Sequence, residues 1–272
     1  MRISRFPDLW RFLLISAAAL ICVAATASLG FWQLGRAAQK QAIFDAITRQ
    51  QALEPWHNAQ LAAEVPLASE SIGQAQQATL LHRPVQLQGQ WLAEQTVFLD
   101  NRQMQGRAGF YVLTPFRLSA PHGHRVVVVQ RGWAPRNFMD RALLPEVQTP
   151  AGLVSIEGRL EAPPSRLMEL EAAHGGADPD EQKSRIRQNA DIALWEQQSG
   201  LPLLALSVVQ SGSASASEGL LRDWPQINAG VQKHYGYAFQ WFGLSVLVVL
   251  LYVWFQLVRR FYPGRRAAQP EG

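Results

Sequence analysis

Hydrophobic and polar positions divide the chain into five stretches. Residues 12–35 and 235–258 are runs of 24 residues without a formal charge. At about 1.5 Å per residue, a helix of that length crosses a hydrocarbon core of about 30 Å with some tilt. Aromatic residues mark the ends: Trp10 and Phe12, then Phe31 and Trp32, flank the first run. Tyr235, Tyr237, Trp241 and Phe242 open the second, and Trp254, Phe255, Phe261 and Tyr262 close it. Amphipathic rings prefer that interfacial depth. The pattern predicts two transmembrane helices, with tails at 1–11 and 259–272 and one large domain over 36–234. A cleavable signal peptide is the competing reading of the first run, because Arg2, Arg5 and Arg11 precede it and Ala25-Thr26-Ala27 offers a cleavage site. Apolar character continues through Leu29, Phe31, Trp32 and Leu34, which favours an uncleaved helix.

Inside the large domain the period changes twice. Ile43, Phe44 and Ile47 have helical spacing, so residues 36–52 extend the first helix outward. The next 25 residues, rich in Ala and Gln and holding Pro55 and Pro66, read as a loop with a possible short helix. From Arg83 the pattern is β: Pro84–Gly89, Thr96–Leu99, Gly109–Leu118, Arg125–Trp133, Leu153–Glu161 and Leu203–Gln210 alternate or run in Val, Leu, Phe and Tyr. His122-Gly123-His124 marks a hairpin turn, and Asp191–Gln198 is a short helix with Gly200 just past it. Residues 171–183 and 211–217 read as an exposed acidic loop and a Ser/Ala/Gly linker. The expected fold is an α+β membrane protein: two transmembrane helices flanking a mostly antiparallel β domain with peripheral helices. Six or so strands suit a small barrel or a sandwich, and both readings stay open.

Charge turns the pattern into a topology. Only 17% of residues are charged, against about 25% in an ordinary soluble protein. The net charge of +4 divides into +2 before Phe12, −1 between Arg36 and Lys233, and +3 after Val258. The basic excess therefore lies on the tails, which leaves the main domain no basic face for nucleic acid. Seven Lys and Arg on the tails against five within 20 residues of the outer helix ends favour both termini in the cytoplasm and the domain in a periplasm or its equivalent. The first helix alone, at three against three, does not decide. A single cysteine, Cys22, excludes disulfide frameworks, Cys-rich zinc sites and iron–sulfur clusters, and suits an oxidising compartment.

The sequence carries no G-x-S-x-G, H-E-x-x-H, P-loop or G-x-G-x-x-G pattern. His122 and His124 on one turn make a poor metal site, and Asp100 and Arg102 suit turn hydrogen bonds better than acid–base work. His234 stands apart, at a membrane boundary where an aromatic cluster begins. On a helix His234, Tyr237, Ala238 and Trp241 share a face. A neutral imidazole beside a small residue and flat rings is suited to ligate a haem iron. An interfacial anchor whose histidine caps the helix entrance is the other reading of the same spacing.

Four blocks resemble one family. Leu29-Gly30-Phe31-Trp32-Gln33-Leu34-Gly35-Arg36 is similar to the L-G-x-W-Q-x-x-R signature of the surfeit locus protein 1 family. Leu99-Asp100-Asn101-Arg102 with Gly106 and the run Gly109–Pro115 resembles its second block. Arg131-Gly132-Trp133-Ala134-Pro135 resembles its R-G-W-x-P block, with Gln130 where the pattern usually has Asn. The run from His234 to Phe242 resembles its H-x-x-Y-A-x-Q-W-F entry to the second helix. Residues 168–190 and 211–218 match none of these blocks.

The resemblance implies an assembly factor for cytochrome c oxidase in the cell inner membrane, not an enzyme. It implies assistance to maturation of oxidase subunit I within assembly intermediates, contact with the haem a synthesis machinery, and transient handling of haem a. His234 would then be a transient axial ligand to the haem iron, with Tyr237 and Trp241 sheltering the porphyrin; from charge and depth alone, Arg36 is placed to pair with a propionate. For Trp32, Gln33, Arg131 and Trp133 a structural role is an equal alternative, the last two tying a strand end to the membrane-proximal rim. A haem-free scaffold that stabilises oxidase subunits is the alternative function, and a membrane-bound hydrolase or oxidoreductase is the least favoured.

Overall fold

The computed structural model describes residues 6–70, 72–137, 139–140, 143–164, 185–212, 219–224 and 230–258. The expected loop at 171–183, most of the 211–217 linker and the C-terminal tail lie outside the described residues. Two compact units result, Met1–Ala46 with Gln226–Gly272, and Ile47–Pro225.

The second unit is a barrel. Strands β1 (Pro84–Trp91), β2 (Val97–Met104), β3 (Arg107–Leu118), β4 (Val126–Pro135), β5 (Val154–Glu161), β6 (Ile186–Arg187) and β7 (Leu203–Gln210) form one sheet in the order β1-β5-β7-β4-β3-β2-β6. A further β1–β3 pairing closes the first five into a barrel, which decides between the two architectures left open by the sequence. All pairings are antiparallel except β4–β7 and β2–β6.

Closure depends on β1 changing partners. Its first residues pair with β5, from Pro84↔Arg159 to Gly89↔Val154, and its last with β3, from Gly89↔Leu118 to Trp91↔Phe116. Gly89 belongs to both ladders. A Cβ there would collide with the Arg117 carbonyl and stand 2.7 Å from the Phe116 ring, so the corner requires glycine.

The valine run of β4 lacks alternation because the strand is buried on both sides. Val127 and Val129 join Leu87, Phe116, Leu160 and Leu206 in the largest core. Val126 and Val128 turn the other way, onto Leu99, Leu113, Leu203 and Trp195. Trp195 comes from α4 (Ile192–Ser199), whose N-cap Asp191 accepts a hydrogen bond from Leu194 N–H at 3.1 Å. The stretch read as loop contains α2 (Asn58–Glu64), and α3 (Gln74–Leu80) follows; Leu61 and Leu80 join the largest core.

The second sequence block is more buried than its polar letters indicate. Leu99-Asp100-Asn101-Arg102 is a bulge within β2, not the turn that follows it, since the register against β3 shifts between Leu99 and Arg102. Asp100 pairs with Arg136 at 3.0 Å. Arg102 is 6% exposed, donates to the Gln188 carbonyl at 3.0 Å and lies over the Tyr111 ring. Burial lowers the Arg102 pKa and raises that of Tyr111; the attraction between the two opposes both shifts.

Candidate functional site

The other unit pairs two helices, each long and apolar enough to cross a membrane. Helix α1 runs unbroken over Phe6–Gln51, and α5 covers Val231–Tyr252. The less exposed positions of α1 include Phe12, Ser16, Ala19, Val23, Thr26, Gly30, Gln33 and Ala37, with Ala27 and Leu34 beside them. Those of α5 include Val231, His234, Ala238, Trp241, Ser245, Val248 and Tyr252. Along the seam positions, leaving Ala27 and Leu34 aside, steps of three and four alternate in both helices, a 3.5-residue repeat that keeps one seam facing a partner helix.

Contacts along the seam set an antiparallel register. The Ser16 and Tyr252 hydroxyls meet at 2.7 Å, Ser245 Oγ donates to the Val23 carbonyl at 3.4 Å, and Phe31 stands edge-on to Phe242 at 5.2 Å. Lipid supplies no hydrophobic drive to bring helices together, so close approach of small residues and interhelical hydrogen bonds must do so. Gly30 shows how close: a Cβ there would stand 2.7 Å from the Phe242 ring. The ring end can swing away from one methyl, but not from a branched chain. Gly30→Ile is expected to cost about 1–3 kcal/mol by overpacking, with Gly30→Ala milder. Thermal unfolding of the purified protein in detergent, followed by circular dichroism, should rank wild type, Ala and Ile in that order.

At the end of the seam nearest the β-domain segment of the chain, His234 meets Gln33. The imidazole Nδ1 lies 2.7 Å from Gln33 Oε1. Ala238, one turn further along α5, is 2% exposed, and Trp241 is half-buried on the same face. Tyr237 is 49% exposed, on the flank of the seam rather than within it. Phe31, Trp32, Tyr235 and Phe239 are exposed around it. Arg36, one turn beyond Gln33, is exposed and donates to Gln39 Oε1 at 3.3 Å. Lys40 Nζ stands 3.2 Å from where a Gly230 Cβ would be, so a second cation reaches the start of α5.

The structure thus joins His234, Ala238 and Trp241 on one face and leaves Tyr237 and Arg36 on exposed flanks. It adds Gln33, which the sequence presents only as part of a family block. No spacing rule could have paired it with a residue 201 positions away.

The β unit offers weaker chemistry. A polar cavity of about 390 Å³ is lined by His57, Asn58, Gln86, Gln88 and His122, and His57 Nδ1 bonds the Gln86 carbonyl at 3.2 Å. Among the described residues no three His, Cys, Asp or Glu side chains gather as a metal site. Arg131 and Trp133 are fully buried. Trp133 Nε1 donates to the Arg102 carbonyl at 2.9 Å, so the second and third sequence blocks are bound to each other in the β-unit core.

Together these features define a β-barrel protein whose barrel is inserted in the chain between two mutually paired candidate membrane helices. Residues 20–246 match the SURF1 family model, and the chain belongs to that family. It is a family of cytochrome c oxidase assembly factors, not an enzyme class. The SURF1-like protein of Rickettsia prowazekii is 23% identical over 233 residues, covering 83% of this chain and 83% of that protein. That of Rickettsia felis is 24% identical over 239 residues, covering 86% and 93%.

Proposed function

We propose that this protein assists maturation of cytochrome c oxidase subunit I at the cell inner membrane, by holding haem a transiently at His234 and releasing it to assembly intermediates. The observation that carries this reading is the placement of His234. It is half-buried at the end of an apolar helix pair, where exposed aromatic rings give way to the cations of Arg36, Lys40 and Lys233. Haem asks for that gradient: an iron ligand, flat apolar walls for the macrocycle and cations for two propionates. The residues present fit the group. His234 would supply the ligand, Trp241 and Tyr237 ring surface, and Arg36 a counter-charge. Bound haem would supply only its own iron centre for delivery. What this chain does is hold it weakly and keep it out of water.

The tails are assigned to the cytoplasm and the barrel to the periplasm, from the count of basic residues. A haem-free scaffold remains the second reading, favoured by the exposed side chains of α5 outside the seam, such as Phe239 at 79% and Leu250 at 60%. The test is the absorption spectrum of protein purified in detergent from cells co-expressing the haem a pathway and subunit I. Wild type should carry haem a, and His234→Ala should lose most of it while still co-purifying with subunit I. A haem-free wild type that retains subunit I would establish the scaffold instead.

A further inference from the structure

Gln33 and His234 come from opposite ends of the chain and meet on the seam between α1 and α5 at 2.7 Å. The contact joins an amide oxygen to a ring nitrogen. An amide oxygen only accepts, so the nitrogen facing it, Nδ1, carries the proton. A neutral imidazole protonated at Nδ1 keeps its lone pair at Nε2. That is the minor tautomer of free histidine, which prefers the proton on Nε2, so it needs a partner to hold it. We propose that Gln33 is a positioning residue that locks His234 in the Nδ1–H tautomer and makes Nε2 its metal-binding nitrogen. The proposal rests on the reading of His234 as a haem ligand given above, although the tautomer itself is a property of this chain's own residues.

Two physical considerations favour glutamine for this task. Metal-binding histidines commonly donate their second N–H to a carboxylate or carbonyl oxygen, which fixes ring orientation and raises ligand basicity. A carboxylate would do so most strongly, but placing it at the edge of an apolar helix pair carries a desolvation cost. It would also make the imidazole a more basic, more tenacious ligand. A neutral amide orients the ring while leaving the ligand weak, as befits a carrier that must let go. Neighbouring positions support a fixed geometry: Gly30 and Ala37 lie one turn to either side of Gln33 on α1 and are buried, as is Ala238 on α5.

The test begins without haem. Nitrogen-15 NMR of the histidine-labelled full chain in detergent reports which ring nitrogen of His234 is protonated, with His234→Ala supplying the assignment. Wild type should show Nδ1–H, Gln33→Leu should revert to Nε2–H, and Gln33→Glu should retain Nδ1–H. An Nε2–H signal in wild type, or no change in Gln33→Leu, overturns the proposal. In haem-loaded protein Gln33→Leu should lower haem affinity by about 10–100-fold. Gln33→Glu should keep haem and shift its midpoint potential to more negative values, which a merely structural contact would not do. If Gln33→Leu fails to fold, the wild-type tautomer and the Gln33→Glu potential still decide. Retention of haem by His234→Ala would reject the ligand reading alone, whereas loss of haem there with no effect of Gln33→Leu would reject the role of Gln33 alone.

Discussion

Trp133→Ala is expected to abolish cooperative unfolding of the β unit or bring it close to its midpoint under ordinary conditions. The side chain is fully buried against Met104, Val209 and Trp224, with the Arg107 guanidinium 5.7 Å from the ring centre. Truncating a buried tryptophan costs about 3–5 kcal/mol in lost transfer energy and cavity formation. Its Nε1–H also satisfies the Arg102 carbonyl inside the β2 bulge, and stranding that acceptor adds about 1–3 kcal/mol. The combined loss is comparable with the whole stability of a typical domain, about 5–15 kcal/mol. Trp133→Phe, which keeps a ring but not the donor, should fall between. Urea titration followed by near-ultraviolet circular dichroism distinguishes the three, and equal midpoints for wild type and Trp133→Ala would contradict this account.

Arg131 should be nearly as sensitive, and lysine should not rescue it. Its guanidinium is fully buried, donates to Thr149 Oγ1 at 2.7 Å and to the Gln148 carbonyl at 2.9 Å, and lies over Trp91 at 4.6 Å. The planar fork meets two acceptors while its face stacks on the indole. An ammonium cannot do both, and it resists dehydration more strongly. Two charged hydrogen bonds of about 1.5–3 kcal/mol each and a desolvated cation–π contact of about 2 kcal/mol imply a loss of about 5 kcal/mol, at the lower end of those ranges, for Arg131→Ala. Most of that loss should persist in Arg131→Lys. Hydrogen exchange should locate the effect in residues 143–149, which this side chain ties to β1 and β4. A lysine variant as protected there as wild type would show that charge alone suffices.

The sequence made strand positions legible wherever one face was wet. In β1 and β5 buried and accessible residues alternate, so period two was visible. In β4 the valine run betrayed a strand buried on both sides. The two-residue β6 left no signature, because it is held by its pairing with Phe98 and Leu99. Asp100 and Arg102 looked like turn residues, since a bulge uses the same polar letters as a turn. Tyr237 was grouped with His234 by helical spacing, but the α5 face is chosen by α1. No property of α5 alone reveals that the seam passes through Val231, His234, Ala238 and Trp241. Gln33 illustrates the general limit: local periodicity locates a residue on its own helix and is silent about what crosses to meet it.

The register of the helix pair has a consequence for folding. When Gln33 and His234 come together, about 200 residues between them become a closed loop. A cross-link around a loop of that length removes on the order of 5 kcal/mol of chain entropy from the unfolded state. With one cysteine in the chain, no internal disulfide can serve that purpose. To the extent that the two helices stay paired in the membrane while the barrel unfolds, they act as a non-covalent staple on a barrel whose strands are scattered through the intervening sequence. Under that condition a variant that loosens the seam should destabilise the barrel without altering a single contact inside it.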